Sequence, residues 1–166
     1  SDDILEKNKI YNCVKFLNNN QNIDIIIGDL YMVNNIGEIY EMLIGAIPSY
    51  LNQYYMGTLN HPTFFVRATV YSKIRFNKYK IGMDFDWVLR AIKAGHKFRK
   101  ISDNIVFMRD DGNSKQNFLD VLKENHLISI SNNVNKMGAT IYYIYSILKK
   151  GIFLLLNSFV PIRVLY

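Results

Sequence analysis

Residues 80–101, KIGMDFDWVLRAIKAGHKFRKI, change character part-way along, and that change decides the fold class. Phe85, Val88, Leu89 and Ile92 recur at i, i+3, i+4 and i+7, the spacing of one buried helical face. Gly95 follows, where a helix end favours a residue able to take positive φ. HKFRKI (96–101) then reads as a strand. Upstream, NIDIIIGDLYMV (22–33) is apolar and β-branched, the composition of a buried strand interrupted at Gly28-Asp29. Helix and strand alternating in this way predict an α/β domain.

Working outward, ILEKNKIYNCVKFLNNN (4–20) predicts an amphipathic helix with Ile10, Cys13, Val14 and Leu17 on its apolar stripe. GEIYEM (37–42) predicts a short strand, and residues 45–60 a connecting loop with one helical turn. TFFVR (63–67) and NIVFMR (104–109) read as strands, ATVYSKI (68–74) as a short helix, and DDGNS (110–114) as a turn. QNFLDVLKENHLISISNNV (116–134) returns to helical spacing. No repeat or linker divides residues 1–138, which read as one α/β unit.

The chain has 166 residues, enough for one domain with a core, and its 49% hydrophobic content argues against disorder. A single cysteine, Cys13, excludes an intramolecular disulfide and a multi-cysteine metal site, and suits a reducing compartment. The net charge is +6, but Lys149, Lys150 and Arg163 supply three of those charges within 139–166, which has no acid. The remainder is too weakly basic for a nucleic-acid footprint, and no aromatic ladder interleaves with Arg and Lys.

That tail, ATIYYIYSILKKGIFLLLNSFVPIRVLY (139–166), contains two apolar runs split by Lys149-Lys150-Gly151. Each run is shorter than the roughly 20 residues that span a bilayer. The pattern predicts amphipathic helices lying on a membrane surface and drawn to anionic lipid. Packing onto the domain and a single tilted span are the other two readings.

Several acids and bases sit where chemistry is possible. Asp84 and Asp86 open the helix of the first stretch; they either cap it and pair with Arg90, or serve a reaction. Ser1-Asp2-Asp3 either caps a helix or holds a cation. His61 precedes Pro62, which biases it towards extended backbone.

The order of five short stretches is the most specific feature: SDD (1–3), DIIIGDLY (24–31), HPTFFVR (61–67), KIGMDFDWVLRAIKAGHKF (80–98) and MRDDGNS (108–114). It resembles the second half of a family-2 glycosyltransferase of the GT-A fold, a class common in bacterial surface-polysaccharide assembly. The resemblance implies a partial GT-A, Rossmann-like nucleotide-diphospho-sugar transferase fold with a mixed sheet, followed by the C-terminal amphipathic helices. It implies inverting, metal-dependent hexosyl transfer from a nucleotide-diphosphate sugar to a glycan or lipid-linked saccharide. The expected location is cytoplasmic, peripheral on the inner face of the cell membrane.

Residue by residue, the resemblance makes Asp3 the Mg²⁺ or Mn²⁺ ligand and gives Asp2 a ribose hydroxyl or a metal-bound water. It makes Asp84 the catalytic base with Asp86 supporting it, and places His61, Arg67, Arg109 and Ser114 against donor or acceptor. The chemistry requires such groups: a leaving diphosphate gains charge that a hard cation offsets, and one carboxylate suffices to deprotonate the acceptor hydroxyl. Two departures stand out. Met83 occupies a position that is often acidic, and the family's nucleotide-reading half would precede Ser1. These 166 residues alone are therefore expected to turn over little, and the donor stays unnamed. A nucleotidyltransferase would instead need a glycine-rich phosphate loop, which the sequence lacks. A membrane-docking module with a degenerate transferase fold would need no intact site.

Overall fold

The computed structural model describes residues 4–34, 36–57, 59–109 and 118–159. Its elements, in chain order, are β1 (Ile4–Leu5), α1 (Lys9–Asn19), β2 (Ile25–Val33), β3 (Ile39–Leu43), β4 (Phe65–Val66), α2 (Ala68–Lys73), α3 (Met83–Lys93), β5 (Phe98–Arg109), α4 (Phe118–Ser131) and α5 (Lys136–Phe159). Single 3₁₀ turns at Tyr50–Gln53 and His61–Thr63 interrupt the connection from β3 to β4.

The strands form one five-stranded mixed sheet. β2 and β5 run parallel, from Ile25 opposite Phe98 to Val33 opposite Arg109. β1 lies antiparallel on the far side of β5, with Ile4 opposite Phe107. β3 and β4 share the other edge of β2, both antiparallel.

β2 is the buried centre of the molecule, as its composition predicts. Ile25, Ile26 and Ile27 are all inaccessible, so both faces of the strand are covered. Ile25 and Ile27 pack against Val70 of α2 and Trp87, Val88 and Ala91 of α3. Ile26 points the other way, onto Cys13 and Leu17 of α1. This alternation follows from the two-residue period of a strand and makes three layers, helix on sheet on helix. A second cluster, Phe85, Leu89, Ile128 and Val134, joins α3 to α4.

Four local expectations change. The N-terminal helix begins at Lys9, because Ile4 and Leu5 are taken by the edge of β5. Its buried stripe is Cys13 and Leu17; Ile10 and Val14 are exposed. β2 runs through Gly28-Asp29 without a break, and HKFRKI and NIVFMR merge into one strand, β5. The interruption appears instead as a register shift between Ile27 and Asp29, where β5 spends three more residues than β2.

The turns carry their own logic. α3 ends in a paired closure, with the Gly95 N–H donating to the Ile92 carbonyl and the His96 N–H to that of Ala91. Gly95 has φ +79°, as its place after the helix predicts.

Candidate functional site

The site begins at Gly28. The Thr63 hydroxyl accepts from the Gly28 N–H at 2.9 Å and donates to the Asn60 carbonyl at 2.7 Å. Asn60 Nδ2 donates to the Leu43 carbonyl at 2.7 Å. Thr63 and Asn60 are buried, so these bonds are shielded from water and hold the 3₁₀ turn at His61–Thr63 rigidly against the centre of the sheet. The turn presents His61.

Across from it, the first turn of α3 presents Asp84. His61 Nδ1 lies 3.2 Å from Asp84 Oδ2. The two groups are 23 residues apart in sequence and come from different elements. Asp84 remains 42% exposed and His61 24%, so a ligand can reach both. Phe64 and Phe76 flank the imidazole at 5.3 and 6.3 Å between ring centres. Phe76 stacks on Trp87, and Tyr71 closes against both, making an aromatic wall beside the pair. Burial first, and the Asp84 charge second, push the Tyr71 phenol above its usual pKa, so it keeps its proton.

Asp86 has a different environment. It is fully buried, and its Oδ2 accepts from Arg90 Nε at 2.9 Å, Arg90 Nη2 at 2.7 Å and Asn77 Nδ2 at 2.9 Å. Its Oδ1 accepts from Asn132 Nδ2 at 3.0 Å. The expected pairing with Arg90 is present, and burial keeps the carboxylate from any substrate. Asp86 is a positioning residue that ties α3 to the segment before it and to the end of α4.

Asp84 does not cap its helix. The N-cap is Gly82, with no side-chain bond of its own. Glu124 of α4 instead holds the turn that leads into the helix, accepting from the N–H groups of Lys80, Ile81 and Gly82 at 2.9, 2.6 and 2.6 Å. A Cβ at Gly82 would lie 2.5 Å from Ile128 Cδ1, so a side chain there would have to displace the end of the buried Ile128. With Glu124 holding the turn, the Asp84 carboxylate is left facing His61.

Arg67, expected to contact phosphate, is committed elsewhere. Its Nε donates to the Ile23 carbonyl at 2.7 Å, and its Nη2 to those of Leu17 and Asn20 at 2.6 and 3.1 Å. It satisfies the carbonyl end of α1, where cations are favoured. Arg109 ends β5 and is exposed. Asp29 accepts from the Gly45 N–H and Lys100 Nζ, both at 2.8 Å, a structural role. Asp2, Asp3 and Ser114 lie outside the described residues. Among the described residues, no three His, Cys, Asp or Glu side chains converge as a metal site.

Nothing in the sequence around Asn60, Tyr71 or Glu124 marks them. "HPT" carried the only hint, a small hydroxyl beside the histidine. No protein-family model matches the chain. No curated protein matches it at a significant level.

Proposed function

We propose that the protein is the metal- and acceptor-side part of an inverting glycosyltransferase of the GT-A type. In this reading Asp84 is the general base. One observation carries it: the two candidate groups His61 and Asp84, distant in sequence, face each other at 3.2 Å on a braced platform while Asp86 is withdrawn into the core. The mixed α/β sheet and the order of the five sequence stretches support the same reading.

Asp84 takes the proton of the acceptor hydroxyl as the oxygen attacks the anomeric carbon, and the diphosphate leaves from the opposite face. A single displacement inverts that carbon. His61 Nδ1, 3.2 Å from Asp84 Oδ2, is placed to orient the carboxylate by donating to it, which leaves Nε2 for a substrate oxygen in this reading. The aromatic wall offers a flat apolar surface on which a sugar ring can rest. The described residues do not by themselves form a cation site, so Mg²⁺ or Mn²⁺ falls to Asp3 on the strength of the resemblance. A bound cation would offset charge on the leaving diphosphate. Acceptors are glycans or lipid-linked saccharides at the inner membrane face, in cell-surface polysaccharide synthesis, with no nucleic acid partner.

The imidazole facing a carboxylate through Nδ1 also allows the reverse assignment, His61 as base and Asp84 as its orienting partner. A transfer assay with nucleotide-sugar donors, in the longest natural chain carrying these residues, separates the two. Asp84 as base predicts a product of inverted anomeric configuration and a His61→Gln variant losing only several-fold. A His61→Gln loss as large as that of Asp84→Asn would assign the base to histidine. Absence of transfer from any nucleotide sugar would remove the reading.

A further inference from the structure

The expected break at Lys149-Lys150-Gly151 is not there: Lys136–Phe159 is one continuous helix, and its length and composition would suffice to cross a membrane. Its first half is committed to the protein. Tyr142 stacks with Tyr54 and Tyr55 at 5.8 and 5.1 Å between ring centres, and Ala139 is buried. A Cβ at Gly138 would lie 2.6 Å from the Tyr54 hydroxyl, so the close approach needs the glycine. This tyrosine seat sets how the helix continues along α4.

Past the seat, the helix pair encloses a cleft. Tyr142, Ser146, Lys149 and Phe153 recur at i, i+4, i+7 and i+11, one face of α5. Ser146 is buried, and its hydroxyl turns back on its own helix, donating to the Tyr142 carbonyl at 2.9 Å. A serine among larger neighbours leaves room. A space of about 360 Å³ lies between this face and Phe118 and Leu122 of α4. Small-molecule sites run from about 300 to 1,000 Å³, so the cleft admits one chain rather than two. Its lining joins aromatic rings to the two exposed cations Lys149 and Lys150. Among the described residues no acid lines it, and neither lysine has an ion-pair partner. Asp120 lines an adjoining groove with Lys150, not this one. The rings have partners of their own: Tyr142 has its tyrosines, and Lys150 Nζ sits 5.5 Å from the ring centres of both Phe118 and Phe153. A flat base would compete with those partners for ring faces, whereas a flexible hydrocarbon chain packs against edges.

We propose that this cleft binds a single-chain lipid phosphate, its chain against Leu122 and the ring edges and its phosphate meeting the Lys149 and Lys150 ammonium groups. Two adjacent cations without an acid suit a dianion, and a phosphate monoester carries about −1.5 to −2 at neutral pH where a carboxylate carries one charge. The lysine stems lie along apolar surface while their heads stay in water, where a phosphate arrives. The proposal goes beyond the transferase reading and does not rest on it. The cleft shares no residue with the His61–Asp84 pair, and its readout is binding, so either can fail while the other stands.

Isothermal titration with decyl phosphate, kept below its micelle concentration, tests it against decanoate, decanol and inorganic phosphate. Decyl phosphate should bind saturably at one site per chain, about tenfold or more tightly than each of the other three. Lys149→Gln and Lys150→Gln alter exposed side chains and leave the core intact. Each should weaken decyl phosphate about tenfold and leave decanol unchanged. Ser146→Leu should fill the cleft and weaken both ligands, with a thermal melt as its control; if it does not fold, the lysine variants decide alone. Decanol binding as tightly would overturn the proposal in favour of a merely apolar surface. Inorganic phosphate or decanoate binding as tightly would overturn it in favour of a general anion site. Decyl phosphate affinity untouched in both lysine variants would place the ligand elsewhere and overturn it too. Self-association through α5 that decyl phosphate does not reverse would give the cleft to a second copy.

Discussion

Glu124 shows how one side chain can define a site it does not enter. Burial raises its pKa, but the three backbone N–H groups of Lys80, Ile81 and Gly82 outweigh that and leave it lowered. A depressed carboxylate stabilises the fold above its unfolded pKa and loses that contribution as pH falls through the folded value. Asp24 behaves alike: burial opposes ionisation, yet the Lys97 N–H and His96 lower its pKa overall. Glu124→Gln should therefore cost about 1–2 kcal/mol near neutral pH and flatten the acid limb of stability, measured by denaturant unfolding between pH 3 and 7. Arg67→Ala should likewise lower stability by about 1.5–3 kcal/mol while leaving the KM for a nucleotide sugar unchanged, because its partners are carbonyls of α1 and the segment after it. At this scale the sequence was partly legible. Asp86 and Arg90 share a helix at i, i+4, so local spacing reveals them. Arg67 and Glu124 bind backbone atoms far along the chain, and backbone acceptors and donors leave no mark in a sequence.

At the scale of elements, composition and period carried most of the fold. β2, α3 and α4 were readable because each holds a long apolar pattern with a clear end. The start of α1 was not, since Ile4 and Leu5 suit a helix or a strand equally and only pairing with β5 decides. The fusion of two expected strands into β5 has the same origin: β2 supplies a parallel partner on both sides of the register shift. Two glycines separate steric from conformational need. A Cβ at Gly45 would lie 2.1 Å from the Gly28 carbonyl oxygen, a backbone atom that cannot swing aside. Gly45→Ala should cost about 1–3 kcal/mol. Gly95 has open space around its Cα but φ +79°, so Gly95→Ala should cost about 1 kcal/mol. Thermal melts of the two variants give that order.

For the whole molecule, three layers fix β2, β2 fixes the His61 turn through Gly28, and α4 fixes the mouth of α3 through Glu124. Two independent chains of contact thus end on one pair of side chains. The meeting of His61 and Asp84 was not legible from spacing, because it depends on how both chains close in space. The tyrosine seat of α5 belongs to the same scale. Tyr142→Ala removes two ring stacks worth about 0.5–1.5 kcal/mol each, and should speed amide exchange along α5 while sparing β2. The central claim is that Asp84 acts on substrate and Asp86 only positions. Sugar transfer by Asp84→Asn and Asp86→Asn, each beside its thermal melt, tests this most directly. Asp84→Asn should fall by roughly 10²–10⁴-fold with an unchanged melting temperature, whereas Asp86→Asn should melt early and retain more transfer when folded. Transfer by Asp84→Asn within a few-fold of the parent, or a folded Asp86→Asn with the larger loss, would contradict the account.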